Sequence, residues 1–259
     1  MTDHDVPWTL DRDEFDLDRV RDLKESTSVA VVVPAQNEAA TIGAVLSDVL
    51  RHPELVDELI VVDDHSNDDT ATVASRHGAR VVTLSGPSGK GEAMAAGFAI
   101  SQAEIVVFLD ADVLSSSVGF VPRLIDPLLQ RPQIQLVKGF YERPLLDMPT
   151  GGGRVNELAA RPILSLLFPG LGEIRQPLAG ETAVRRGALD AIVLGDAYQV
   201  EIALLIDVAR LYGVHSVAQV DLGVRRHRNR PLEELQPMAV DVLRAALERV
   251  SPSSLPHRA

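Results

Sequence analysis

Asp110 and Asp112 stand one residue apart at the end of an apolar run, in Ile105-Val-Val-Phe-Leu-Asp-Ala-Asp112. The run Ile105 to Leu109 is long enough for a core strand and too short for a helix. Residues i and i+2 of an extended chain project to the same side, so the two carboxylates face one place. Like charges that close raise each other's pKa unless a cation joins them. A hard divalent ion such as Mg²⁺, held by one or two carboxylates with phosphate oxygens in other positions, resolves the conflict. A solvated turn at a strand end has the same composition, so the pair gains meaning only from its company.

That company is basic and glycine-rich. Arg225-Arg-His-Arg-Asn-Arg230 follows an apolar stretch and packs four arginines and a histidine into six residues. Charge runs are usually solvated faces, yet a run that ends a strand turns some side chains toward a ligand edge. Repulsion from the arginines keeps His227 neutral near pH 7, the form that ligates a metal. His227 could complete a site begun by Asp112, while Arg225 and Asn229 address phosphates. Gly151-Gly-Gly-Arg-Val-Asn156 offers free backbone N–H groups and one guanidinium before a helix, which suits an anion. Gly86-Pro-Ser-Gly-Lys-Gly91 also precedes a helix, but it lacks the P-loop spacing and the Ser or Thr after Lys90. Each glycine stretch reads equally as a plain turn. Glu201, beside Tyr198, Ile202 and Leu205 on a helix, is open to two readings: a paired structural acid, or an acceptor for sugar hydroxyls.

Elements must bring these groups together. Strands are expected at 29–33, 59–62, 79–84 and 105–109, with helices at 39–50 and 89–103 between them. Asp68 and Asp69 suit the first turn of a helix after the second strand, at the positive dipole end. Such alternation implies an α/β fold with a mostly parallel sheet and helices on both faces. Ligands of such sheets bind beyond the carboxyl ends of the strands, where 34–38, 63–66 and 110–112 fall. Further on, the pattern predicts helices at 121–129, 151–168, 197–212 and 231–250, and strands at 134–140 and 214–224. Residues 1–27 read as an N-terminal arm or short surface helix. Residues 28–250 read as one domain with halves at 28–119 and 120–250, and 251–259 as a tail.

Composition bounds the function. The chain has 259 residues, 46% of them hydrophobic but only 4% aromatic, so aliphatic side chains must fill its core. A formal net charge of −12 argues against nucleic acid as a partner, because a phosphate backbone needs a basic surface. There is no cysteine, hence no disulfide or thiol chemistry. No signal peptide and no membrane-length apolar run is visible, which makes the cytoplasm the expected location and a membrane partner unexpected.

Taken together, the motifs resemble a known family. Pro34-Ala-Gln-Asn-Glu38, Val62-Asp-Asp-His-Ser66 and Asp110-Ala-Asp112 look like the nucleotide-sugar glycosyltransferases of GT-A type. Gly89-Lys-Gly-Glu-Ala93, Leu136-Val-Lys-Gly-Phe-Tyr141, Gly151-Gly-Gly-Arg-Val155, Leu178-Ala-Gly-Glu181 and Arg225-Arg-His-Arg-Asn229 look more narrowly like glucosyl-3-phosphoglycerate synthases and their mannosyl relatives. The resemblance runs from about Ser28 to Val250.

It implies a retaining, metal-dependent glucosyl transfer from UDP-glucose to the 2-hydroxyl of 3-phospho-D-glycerate by a homodimer. The half at 28–119 would bind the nucleotide sugar and the half at 120–250 the acceptor. Pro34, Ala35, Asn37, Glu38 and Asp64 would border uracil and ribose; Lys90, Asp110 and Ala111 would meet the rest of the nucleotide. Asp112 and His227 would hold Mg²⁺ or Mn²⁺. Tyr198, Glu201 and Arg225 would surround the donor sugar, and the Leu178 carbonyl would steady the attacking hydroxyl. Gly153, Arg154, Val155, Asn156 and Asn229 would hold the acceptor. Asn156 departs from the Thr of the compared relatives. Other readings are the same fold with GDP-mannose or another small acidic acceptor, a nucleotidyltransferase, and an inactive nucleotide-sugar-binding protein.

Overall fold

The computed structural model describes residues 6–112, 119–142, 144–145, 148–151, 153–194, 199–224 and 232–250. Its strands are β1 (Trp8–Leu10), β2 (Val29–Ala35), β3 (Glu58–Asp63), β4 (Arg80–Thr83), β5 (Ile105–Phe108), β6 (Leu136–Glu142), β7 (Pro144–Leu145), β8 (Met148–Gly151), β9 (Thr182–Arg185) and β10 (Val217–Val224). Its helices are α1 (Leu17–Lys24), α2 (Ile42–Val49), α3 (Thr70–Arg76), α4 (Lys90–Ile100), α5 (Phe120–Gln130), α6 (Arg161–Leu167), α7 (Arg186–Asp190), α8 (Val200–Tyr212) and α9 (Leu232–Glu248). Eight strands form one sheet in the order β1-β10-β6-β9-β5-β2-β3-β4, while β7 and β8 pair separately. The α/β architecture expected from the sequence is present.

The central strands are apolar throughout because both faces of the sheet are covered. Along β2, Val29, Val31 and Val33 pack with Ile42 and Leu46 of α2 and Leu124 of α5. Val32, pointing the other way, joins Ala93 and Met94 of α4 and Leu204 of α8. Helix α4 lies unusually close to the sheet at Gly97, where a Cβ would fall 2.3 Å from a Val32 methyl. Only glycine permits that approach, and it aims the first turn of α4 at the carboxyl edge.

Strand direction decides which loops meet. β5 pairs in parallel with β2, and β2 with β3. β9 runs antiparallel to both β5 and β6, so β6 regains the direction of β5, and β10 runs parallel to β6. The carboxyl ends of β2, β3, β5, β6 and β10 therefore share one edge with the beginning of β9. Register sharpens the point: Thr182 sits opposite Phe108 on one side and Lys138 on the other. The turn leading into β9 thus arrives beside Asp110.

Two segments differ from the sequence expectations. Within residues 6–27 the short helix expected is α1, whose Arg19 binds the buried Asp126 of α5 at 2.7 Å, but β1, which pairs in parallel with β10, is not foreseen. The helix expected at 151–168 is split into a π-helical turn, Asn156–Ala160, followed by α6. Pro162 near the start of α6 has no N–H to donate, so the ordinary ladder cannot run unbroken through it. The wider π turn accommodates that gap.

Candidate active site

An open cleft of about 380 Å³ lies at the shared edge. The loop after β2 supplies Pro34, Ala35, Gln36 and Glu38 to its wall; Asp64 follows β3; Ser88, Gly89, Lys90 and Ala93 come from the start of α4; Asp110, Ala111 and Asp112 follow β5. Of the expected donor residues, Pro34, Ala35, Glu38, Asp64, Lys90, Asp110 and Ala111 fall here, and so does Asp112, the expected metal ligand. Gln36, Ser88, Gly89 and Ala93 are not singled out as site residues by sequence reasoning. Ser88 is within its reach, since the small residues before α4 read as an anion site.

Asn37 is in a different position. Its side-chain oxygen accepts the Asn67 N–H at 2.8 Å, and its own N–H donates to the Ser66 hydroxyl at 2.9 Å. The residue adopts a positive φ of 56°, which Asn tolerates better than most side chains. Asn37 therefore ties the loop after β2 to the loop after β3 and does not line the cleft. Asp64 has a similar structural duty. Its carboxylate accepts from the Ser88 hydroxyl at 2.8 Å and the Gly89 N–H at 3.0 Å, which closes the turn before α4.

Lys90 begins α4, and its ammonium reaches across the cleft floor to two acids. Nζ lies 2.6 Å from Asp110 and 2.5 Å from Glu201 of α8. Burial alone would lower the Lys90 pKa, but the two carboxylates overcome it and hold the ammonium well above the ordinary lysine range. One cation between two anions leaves this triad with a net charge of −1. Asp110 is engaged by Lys90, and Asp112 stands two residues on at the same edge of the cleft. Burial also raises the Glu38 carboxyl, and Asp112, Asp68 and Asp110 raise it further, against a bond from Thr41. Acids gathered at one cleft fit the donor set of a hard divalent ion. Among the described residues no three such side chains converge on one point, and His227 lies outside them.

A second group of candidate residues surrounds the turn before β9. Asn156 is buried, and its side-chain oxygen accepts the Leu178 N–H at 2.9 Å. Lys138 of β6 is 1% exposed; its ammonium donates to the Ala179 carbonyl at 2.5 Å and the Thr182 hydroxyl at 2.9 Å. Burial pushes the Lys138 pKa down to about 8, with Lys90 adding to the fall and Glu201, Glu181 and Asp110 opposing it. Gly180 packs directly on Asp110: a Cβ there would fall 2.0 Å from the carboxylate oxygen. The turn and the cleft thus share Asp110. Gly153, Arg154 and Val155 lead into the helical segment that carries Asn156, with Gly153 at a φ of 73°. Tyr198, Arg225, His227 and Asn229 lie outside the described residues, although β10 delivers the chain to this edge at Val224.

Known proteins share both sequence and architecture with this chain. A family model described as glycosyl transferase family 2 matches residues 30–146. Glucosyl-3-phosphoglycerate synthase of Mycobacterium tuberculosis strain H37Rv is 44% identical across 95% of this chain and 78% of its own. The enzyme of that name from Petrotoga mobilis is 38% identical, covering 88% of this chain and 74% of its own. A crystal structure of the M. tuberculosis enzyme with Mn²⁺, UDP-glucose and phosphoglyceric acid superposes with a TM-score of 0.87 at 42% identity, covering 97% of this chain and 88% of that one. Another, holding Mn²⁺, UDP and glucosyl-3-phosphoglycerate, gives a TM-score of 0.86 at the same identity and coverage.

Proposed function

Since the chain belongs to the glucosyl-3-phosphoglycerate synthase family, we propose that it transfers glucose from UDP-glucose to the 2-hydroxyl of 3-phospho-D-glycerate with retention at the anomeric carbon. The observation that carries this reading is the shared Asp110 carboxylate. It floors the donor cleft, binds Lys90, and supports the Gly180 turn whose neighbour Leu178 would meet the acceptor.

In this mechanism the β2 loop and the α4 start receive the nucleotide. Asp112 and His227 would hold Mg²⁺ or Mn²⁺, which when bound neutralises charge on the diphosphate and its leaving group. As the glycosidic bond breaks, positive charge grows on the sugar ring. The Lys90–Asp110–Glu201 triad, net negative and fixed in place, stabilises that charge without reorganising. Glu201 accepts from sugar hydroxyls and orients the ring, with Tyr198 and Arg225 around it. The acceptor hydroxyl attacks from the face the phosphate leaves, and the departing phosphate takes its proton. The Leu178 carbonyl accepts a hydrogen bond from that hydroxyl and aims it. Gly153, Arg154, Val155 and Asn229 hold the acceptor's anionic groups. Asn156 joins them through its amide NH₂, since its oxygen is turned to Leu178. The proposal includes a cytoplasmic homodimer, on the strength of the family resemblance.

The test is release of the nucleoside diphosphate (UDP from UDP-glucose, GDP from GDP-mannose), crossing the two donors with 3-phosphoglycerate and its non-phosphorylated analogues, with and without a chelator. Release is expected only with UDP-glucose, the phosphorylated acceptor and metal, giving an α-linked product. A product formed only with a non-phosphorylated acceptor would overturn the assignment of the 153–156 loop.

A further inference from the structure

Three consecutive peptide groups around Leu178 are anchored. The Leu178 N–H is taken by Asn156, the Ala179 N–H donates to the Gln176 carbonyl at 3.1 Å, and the Ala179 carbonyl accepts from Lys138 at 2.5 Å and, at a longer 3.3 Å, from the Thr182 hydroxyl. Gln176 is itself fixed by a bond from its side chain to the Tyr141 carbonyl. The Leu178 carbonyl sits in the middle of this set. Among the described residues nothing donates to it.

We infer that Lys138 and Asn156 are positioning residues, which clamp the peptides on either side of the Leu178–Ala179 peptide and thereby aim the Leu178 carbonyl at the reacting hydroxyl. This deepens the function proposed above and rests on it.

The chemistry of the two side chains supports the assignment. A buried ammonium is costlier than an apolar chain of the same length, so a lysine inside a strand of the sheet is not explained by packing. Both of the bonds its ammonium makes end on the segment 179–182. Asn156 is held in the π-helical turn, and an unpaired amide buried there would be costly; its oxygen finds the one N–H of the turn that directs Leu178. The two side chains come from different elements, β6 and the segment before α6, and approach the turn independently. Gly180 on Asp110 completes the support by tying the turn to the donor side. A carbonyl whose flanking peptides are fixed while it keeps its own lone pairs is a preorganised acceptor.

The experiment compares the full-length wild type with Lys138→Met and Asn156→Leu. Each removes the clamping bond while keeping approximate side-chain length. Asn156→Asp retains the oxygen that receives the Leu178 N–H. Four readouts separate the possibilities: melting temperature, UDP affinity in the presence of Mn²⁺, kcat, and KM for each substrate. Lys138→Met and Asn156→Leu are expected to lower kcat by ~100-fold, the scale of a misplacement of about 1 Å, with donor KM and UDP affinity within about 5-fold of wild type. Asn156→Asp, which keeps the oxygen but loses the NH₂, should lose clearly less kcat than Asn156→Leu while its added charge raises KM for the anionic acceptor. Near-wild-type kcat in both of the first two variants overturns the inference, as does loss of UDP binding, because a positioning residue must leave the donor site intact. Equal loss of kcat in Asn156→Asp and Asn156→Leu overturns the role of Asn156. A wild type inactive with UDP-glucose and 3-phosphoglycerate refutes the proposed function instead, and is seen before any variant is made.

Discussion

Lys90 and Lys138 belong to two regions that share a cluster of acids, and their surroundings drive them in opposite directions. At the donor cleft Lys90 opens a helix and lies against two carboxylates, so its charge is secured. Under the turn before β9, Lys138 is enclosed by the sheet, donates only to a carbonyl and a hydroxyl, and is pushed toward neutrality. The difference separates electrostatics from geometry. The first region is organised around permanent charge, which suits a site that must balance a diphosphate against a developing cation. The second is organised around directed hydrogen bonds, which suit the aiming of a single oxygen. Asp110 is the hinge between them, paired with Lys90 and packed under Gly180.

The comparison breaks most readily at Glu201. Replacing it by Gln leaves Lys90 with one carboxylate and removes the negative charge of the triad; turnover should fall by ~100- to 1000-fold while UDP affinity changes little. Steady-state kinetics beside calorimetric titration of UDP decide it, and turnover close to wild type would remove Glu201 from the chemistry. Gly180→Ala probes the hinge. The added methyl would overlap the Asp110 carboxylate, so one or the other must move. Overpacking of this kind costs roughly 1–3 kcal/mol, and denaturant unfolding should register it together with a raised KM for UDP-glucose. Full stability and full activity in this variant would show that the two regions are not coupled through Asp110.

The smallest effect lies in pH. The Lys138 pKa near 8 is below the ordinary lysine value of 10.5. Between those values the unfolded chain binds a proton that the folded chain lacks, so this residue makes stability rise with pH across the window. Lys90 contributes in the opposite sense: its raised pKa gives stability present below the ordinary lysine range and lost only at more alkaline pH. Urea midpoints measured at about pH 7.5 and about pH 9.5 should show a more positive trend in the wild type than in Lys138→Met. An identical trend would mean that Lys138 does not titrate there.

Much of the donor side was legible in the sequence because its signals are local. Val29 to Val33, Leu59 to Val62 and Ile105 to Leu109 are continuous apolar runs, as strands covered on both faces must be. Polar clusters immediately after such runs mark the ligand edge of an open α/β sheet. The acceptor side was harder to read because its signals are not local. β9 is four residues, Thr-Ala-Val-Arg, with polar ends, and becomes a central strand only through pairing with β5 and β6. Its Arg185 is partly enclosed and spends its guanidinium on the Leu128 and Ile134 carbonyls, a partnership no spacing rule reveals. Leu136-Val-Lys-Gly-Phe-Tyr141 stands out as a family motif, yet nothing in that string shows that the Lys138 ammonium is withdrawn from water. β1 escaped notice because three residues in an acidic stretch carry no period.

The pairing of β1 with β10 also sets an order of events. Thr9 and Gln219 share a side-chain bond across a sequence separation of 210 residues. During synthesis, Trp8–Leu10 emerge long before the strand that receives them exists, so this rim of the sheet is sealed late. Until then the border of β6 that β10 will cover offers a row of unsatisfied backbone groups, open to any extended peptide that reaches it first.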